Sequence, residues 1–353
     1  MKIALLFDGV SALGAAADVL ILETVEAIED VLQLEGNQVV RIPVNPDGRW
    51  VERLRRGKLD LAFNLCEGID GVAAAEPAVI AVLELLEIPF TGSSSWTTGL
   101  CLRKHLVNAM LDRASLPIPN FALVRRGAAL RSVGFPAICK PAAEDASVGV
   151  EQRSVVRSMR ALAARLSAMH ERWDEVIVQR YIDGREVNVG ILGEEVLPIA
   201  EIQFGAMPKG MWRIVSYRSK WEAGSDEDAG AIPECPAALP PKLAAELRRI
   251  AVSAWRAVGG EGYGRVDFRI DNTGRPWLLE VNANPDIAPV AGLARMARVA
   301  GMDYGALVRT VCQLALTRER VIPDDAWFAA RALSGIPADT HSAALDLFVV
   351  GER

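Results

Sequence analysis

The sequence predicts an α/β protein built from three successive units, and three observations carry the prediction. Apolar strand-like runs alternate with helical patterns through residues 1–95. Strands and a helix recur through residues 96–183, and a last unit over 184–322 contains a strand–turn–strand sequence rich in acidic groups. Short apolar runs interleaved with helical periodicity are the rhythm of a parallel sheet with crossover helices.

In chain order, residues 3–7, 39–44 and 59–65 read as strands, with helical patterns over 18–34 and 74–86. Thr91-Gly92-Ser93-Ser94-Ser95 is a polar break, followed by one helix over 99–113 that stops before the turn-forming Leu116-Pro117-Ile118-Pro119. The second unit holds strands at 121–124, 137–140 and 176–181 and a helix over 158–168. The third opens with strands at 186–192 and 196–203 and continues into a polar stretch, 218–236, too long for a simple connection and expected to act as a lid. A helix over 242–258, a hairpin and a helix over 290–318 complete it.

The hairpin is the most informative part. Asp271-Asn272-Thr273-Gly274 tolerates tight-turn angles, so residues 266–270 and 277–281 are expected to pair antiparallel. Asp267 and Glu280 then face each other directly or diagonally, and strand alternation puts Asn282 on the same face as Glu280. Three hard oxygen ligands converge beside Arg265. Mg²⁺ takes one or two carboxylates and completes its shell with water and phosphates, so a set this sparse expects a nucleotide. The alternative is a surface hairpin with scattered acids; the apolar neighbours Val266, Phe268, Leu278, Leu279 and Val281 argue for a buried sheet, where an unpaired carboxylate is costly.

Phe135-Pro136-Ala137-Ile138-Cys139-Lys140-Pro141 ends an apolar strand on a lysine, and the next residues, 142–150, contain Glu144, Asp145, Ser147 and Gly149. This suits a phosphate-covering loop with Lys140 paired to an anionic ligand, although a strand-end lysine snorkelling to water fits as well.

Composition sets limits. The 353 residues are 51% hydrophobic and 24% charged, with a net charge of −6, which suits a globular chain and argues against nucleic acid as a partner. The first strand is stopped by Asp8, so no signal peptide is expected, and no apolar stretch reaches membrane-spanning length. Five cysteines without regular spacing suit free thiols in a cytoplasmic protein, and three scattered histidines do not suit zinc.

Pro89-Phe90-Thr91-Gly92-Ser93, Lys104, Lys140 with its loop, Gly184-Arg185-Glu186, Lys220, Gly264-Arg265-Val266-Asp267 and Glu280-Val281-Asn282 occur in an order that resembles the ATP-grasp superfamily, specifically the D-alanine–D-alanine ligases. The resemblance covers residues 1 to about 318 and implies a three-domain ATP-grasp fold with ATP held between the central and C-terminal domains. It also implies ATP-dependent amide formation through an acyl phosphate. Lys104 and Lys140, with Ser147 in the loop, would hold the phosphates. Gln179, Tyr181 and Ile182 would meet the adenine, and Glu186 the ribose. Lys220 would reach the γ-phosphate as the lid closes. Asp267, Glu280 and Asn282 would bind two Mg²⁺, with Mn²⁺ expected to substitute, and Arg265 would neutralise the oxyanion formed as the amine attacks.

Departures from the family fall on the amino-acid half. Its acidic segment after the first strand is Ala12-Leu13-Gly14-Ala15-Ala16-Ala17 here; the one exchange at the adenine, Gln179 for the family's glutamate, keeps an oxygen that accepts from the adenine amino group. A serine and a tyrosine are replaced by Ala146 and Trp221, a histidine by Glu67, and the residues receiving the second alanine's carboxylate by Pro285-Asp286-Ile287 and Ala291. Glu67 and Asp286 are candidate contacts for an ammonium or hydroxyl group, or ordinary solvated acids. The expected function is therefore an ADP-forming carboxylate–amine ligase acting on an amino acid or related carboxylate and an amine other than D-alanine. An authentic D-alanine–D-alanine ligase and a non-catalytic nucleotide-binding module are the alternatives. Residues 323–353 form an extension past the family's usual end, either packed or at a contact between copies, and homodimers are common among similar ligases.

Overall fold

The computed structural model describes residues 1–9, 15–129 and 132–318, and side chains at 15–18 are not described. The segment 12–14, the side chains of Ala15, Ala16 and Ala17, and the extension 323–353 therefore lie outside the described residues. Three sheets organise the rest. The first is parallel, in the order β2-β1-β3, from β1 (Lys2–Asp8), β2 (Gln38–Val44) and β3 (Leu61–Asn64). Helices α1 (Ala15–Leu34) and α2 (Arg49–Arg56) supply the two connections that the parallel strands require, and α3 (Glu76–Leu85) follows β3. One face of β1 (Ile3, Leu5, Phe7) enters a core shared with Leu307 and Val311; the other (Ala4, Leu6) packs with Trp50 and Val79.

The helix expected over 99–113 is two helices, α4 (Ser95–Leu102) and α5 (Lys104–Arg113). Arg103, with φ −90° and ψ 78°, leaves the helical region, and the Lys104 N–H donates to the Ala142 carbonyl at 3.1 Å instead of to its own helix. The break turns Lys104 toward the second sheet, which is antiparallel in the order β4-β7-β5-β6, from β4 (Phe121–Arg125), β5 (Ala137–Pro141), β6 (Val155–Val156) and β7 (Glu175–Arg180). Helix α6 (Met159–Met169), capped by the Ser158 hydroxyl, buries Leu162 and Leu166 against it.

The third sheet runs β11-β10-β8-β12-β13, again antiparallel, with β8 (Gly184–Leu192), β9 (Glu195–Val196) paired to β8, β10 (Ala200–Gln203), β11 (Ile232–Glu234), β12 (Tyr263–Asp271) and β13 (Pro276–Asn282). The strand expected over 196–203 is thus split, and the polar stretch 218–236 contains structure of its own. Short helices α7 (Tyr217–Trp221) and α8 (Asp226–Gly230), each capped by a serine side chain, precede β11 there. Helix α9 (Pro241–Ala257) covers the sheet through Leu247, Ile250 and Trp255. Gly264 is required at that contact, since a Cβ would lie 2.3 Å from the Trp255 ring. The final helix is also two, α10 (Gly292–Val299) and α11 (Tyr304–Leu316), separated by Gly301 at φ +87°. Among the described residues no helix is long and apolar enough to cross a membrane.

Candidate active site

A cleft of about 1320 Å³ is lined by residues of the second and third sheets, with the ends of the first sheet's strands and loops at one side. The hairpin supplies its charged floor. Strands β12 and β13 pair with Asp267 directly opposite Glu280 and Arg265 opposite Asn282, and a bulge follows between Asp267 and Phe268. Arg265, Asp267 and Arg269 share one face by alternation.

Asp267, 6% exposed, accepts four hydrogen bonds. Arg265 donates from Nε to Oδ1 and from Nη2 to Oδ2, both at 2.8 Å. The Asn188 amide donates to Oδ1 at 2.7 Å and the Asn282 amide to Oδ2 at 2.9 Å. Glu280 lies 4.0 Å from Lys104 Nζ. Burial opposes its charge, but Lys104, Lys140 and Arg265 outweigh burial and hold its pKa down at about 2. The set of two carboxylates and one amide oxygen suits a hard cation, and the open cleft leaves room for the water and phosphate oxygens such an ion requires. Among the described residues no group of three or more His, Cys, Asp or Glu forms a further candidate metal site.

Lys104 reaches the same floor from α5, with Nζ 2.9 Å from Asp145 and bonded to the Glu144 carbonyl. Burial works against its charge, yet Asp145 and Glu280 raise its pKa overall. For Lys140 on β5 burial prevails and lowers the pKa, with no ion pair within 4 Å among the described residues. An ammonium poised that way gains most from an anionic ligand. The loop beyond it turns through left-handed angles at Ala146 (φ 53°), Ser147 (φ 61°) and Gly149 (φ 74°), and the Ser147 hydroxyl donates to the Val215 carbonyl at 3.0 Å. Gly149 cannot carry a side chain, because a Cβ would stand 2.7 Å from Trp173.

The other end is apolar. Ile138, Val150, Val155, Tyr181 and Ile214 form one buried cluster, with Gln179 and Ile182 also buried beside the cleft. Glu186 is ion-paired at 2.7 Å to Arg269, its direct neighbour across β8 and β12. Arg269 also bonds the carbonyls of Gly184 and Arg213, and its guanidinium lies 5.5 Å from the Tyr181 ring centroid. The Tyr181 hydroxyl donates to that same Arg213 carbonyl at 3.2 Å.

Lys220 is exposed at the rim, its Nζ 5.0 Å from the Trp221 ring centroid, while Trp221 Nε1 donates to the Ala146 carbonyl at 3.0 Å. The stretch anticipated as a lid is therefore tied to the phosphate-side loop. Asp286 is exposed and accepts from the Ala288 N–H at 2.8 Å, a local turn contact. Glu67 is more enclosed, and its N–H donates to Asp8 Oδ2 at 3.3 Å. Burial, then the charge of Glu67, pushes Asp8 up to about 7. Burial also pushes Glu67 to about 7, with Asp286 and Asp145 raising it against the lowering pull of Lys220 and Arg265.

These shifts have a sign that can be checked. The folded chain binds both protons more tightly than the unfolded chain, so their contribution to stability is intact at low pH and is lost as pH rises through about 7. Glu67→Gln is expected to flatten the fall in Tm between about pH 5 and pH 8, measured by thermal unfolding. An unchanged pH slope would show that Glu67 keeps an ordinary carboxyl pKa.

Four participants escaped sequence reasoning. Asn188 and Arg269 flank Asp267 and Glu186, and the polar face of the strand at 186–192 and the alternation after Asp267 could have pointed to them. Glu76 and Asn284 could not have been paired: Asn284 Nδ2 reaches Glu76 Oε1 at 2.9 Å across 208 positions of chain, while Tyr263 donates to Asn284 Oδ1 at 3.0 Å.

Comparison with known proteins accords with this geometry. A family model described as "D-ala D-ala ligase C-terminus" matches residues 110–313. The D-alanine–D-alanine ligase of Citrifermentans bemidjiense is 33% identical over 315 residues, covering 89% of this chain and 96% of that one. The uncharacterized protein y4sG of Sinorhizobium fredii is 33% identical over 263 residues, covering 73% and 75%. Among solved structures, the D-alanine–D-alanine ligase of Bacillus anthracis superposes with a TM-score of 0.74 at 25% identity, covering 90% of this chain and 97% of that one. The same enzyme complexed with ATP gives 0.72 at 23% identity. With the ATP-grasp arrangement of sheets, the family model over residues 110–313 and a D-alanine–D-alanine ligase 33% identical and matched over 96% of its length, the chain belongs to the D-alanine–D-alanine ligase family.

Proposed function

We propose that this protein is an ADP-forming carboxylate–amine ligase of the D-alanine–D-alanine ligase type, working through an acyl phosphate on an amino acid or related substrate other than D-alanine. One observation carries the reading: Arg265, Asp267, Asn282 and Glu280 meet on one floor, with Lys104 and Lys140 above an open cleft. We assign the purine seat to Gln179, Tyr181 and Ile182, the ribose contact to Glu186, and the phosphates to Lys104, Lys140 and the loop bearing Ser147. Asp267, Glu280 and Asn282 would hold two Mg²⁺, which when bound would offset charge on the transferring phosphoryl group. A carboxylate oxygen of the first substrate attacks the γ-phosphorus and ADP departs. The amine nitrogen then adds to the acyl carbon, and phosphate leaves as the amide forms. Arg265 lies where the oxyanion of that addition needs a fixed cation, and Lys220 at the rim can close on the phosphate side. We take the three sheets as the centres of domains at 1–95, 96–183 and 184–322.

The acceptor end supports a substrate other than D-alanine. Asp286 is acidic and Ala291 offers no hydroxyl, so a free α-carboxylate finds like charge at Asp286 and no donor at 291. A phosphate-release screen over D- and L-amino acids and small amines, taken pairwise with ATP and Mg²⁺, tests both points. Turnover with a pair other than two D-alanines is expected. Formation of D-alanyl-D-alanine as the best product would restore the authentic ligase. Binding of ATP analogues without phosphate release for any pair would leave a nucleotide-binding module.

A further inference from the structure

We propose that Gln179 lets the purine seat accept 6-oxopurine nucleotides as well as 6-aminopurine ones, an inference that rests on the nucleotide-binding reading above. Gln179 is 3% exposed on β7, directly across from Ile138 on β5, and lines the cleft. Its surroundings are apolar: Ile138, Val150, Tyr181 and Ile214 form one buried cluster around the base position. Within it the Gln179 Nε2 is buried with no hydrogen-bond partner among the described residues. A buried amide N–H left unpaired is costly, so an acceptor on the ligand is its natural complement.

A carboxamide carries both an acceptor and two donors, and it can present either one. Turned one way, Oε1 accepts from the exocyclic amine of adenine. Turned the other way, Nε2 donates to the exocyclic oxygen of hypoxanthine or guanine. A carboxylate at this position could do only the first and would repel the second. Backbone groups around Ile182 are common to any variant at 179, so a comparison of variants isolates the side chain.

The test measures dissociation constants of ADP and IDP with Mg²⁺ by calorimetry, on the full chain and on Gln179→Glu. IDP is chosen over GDP because it lacks the 2-amino group. For the wild-type chain IDP is expected within about tenfold of ADP, and Gln179→Glu is expected to widen that gap by a further tenfold or so. Gln179→Leu, which removes donor and acceptor together, is expected to weaken both nucleotides alike. A wild-type preference for ADP above about a hundredfold, or an ADP/IDP ratio equal in wild type and Gln179→Glu, overturns the inference while leaving the ligase reading intact. Failure of the wild-type chain to bind either nucleotide sinks both.

Discussion

Glu280→Gln is expected to lower ADP formation by about a thousandfold or more, with the folded chain retained, when phosphate release is measured on the best substrate pair. Glu280 is hydrogen-bonded to Asn282, a contact that a glutamine can keep, and Lys104 lies 4.0 Å away. Its charge is nonetheless strongly favoured by Lys104, Lys140 and Arg265, so the neutral amide leaves those cations without their shared counterion and removes an oxygen suited to Mg²⁺. Turnover within about tenfold of wild type would count decisively against the metal assignment. Asp267→Asn is the less clean version. It would also leave the half-buried Arg265 guanidinium without its bidentate carboxylate, a destabilising loss. A larger fall in Tm is therefore expected for Asp267→Asn than for Glu280→Gln, and differential scanning calorimetry separates the two.

Arg265→Lys is the second change with a large expected effect. The planar guanidinium is fixed on Asp267 by two parallel hydrogen bonds, and an ammonium can make neither the fork nor the same reach. Loss of one donor aimed at a developing oxyanion typically costs about a hundredfold to a thousandfold in kcat. The drop is expected in kcat, with the affinity for nucleotide nearly unchanged, because the proposed nucleotide contacts of Lys104, Lys140 and Gln179 are untouched. An equal loss in nucleotide affinity would place Arg265 in ground-state binding instead.

The hairpin was legible because its information is local: Asp271 to Gly274 makes the turn and brings the two strands together, although Asp267 meets Glu280 only because the bulge skips Leu279, a shift that the turn residues do not announce. The same is true of β1 and β3, whose apolar runs are buried on both faces of a parallel sheet. What local pattern could not supply was register between distant strands. Asn188 meets Asp267, and Arg269 meets Glu186, only because β8 lies beside β12. Nor could it supply the helix breaks, where tertiary hydrogen bonds overrule helical propensity, as at Lys104 and Ala142. The polar stretch 218–236 hid two short helices whose serine caps, Ser216 and Ser225, were visible in sequence but whose bodies are too short for any periodicity to register.

The discontinuity at Arg103 has a consequence for insertions and deletions. Helix α4 is held at the end of α9, through Thr97 to the carbonyls of Val258 and Gly259, whereas the start of α5 is held by Ala142 beyond β5. Arg103 is exposed and its side chain could be exchanged freely, yet adding or removing a single residue there would take the start of α5 out of line with the Ala142 carbonyl and carry the Lys104 ammonium away from Asp145. Chain length at this surface position is under a tighter constraint than the identity of the residue that occupies it.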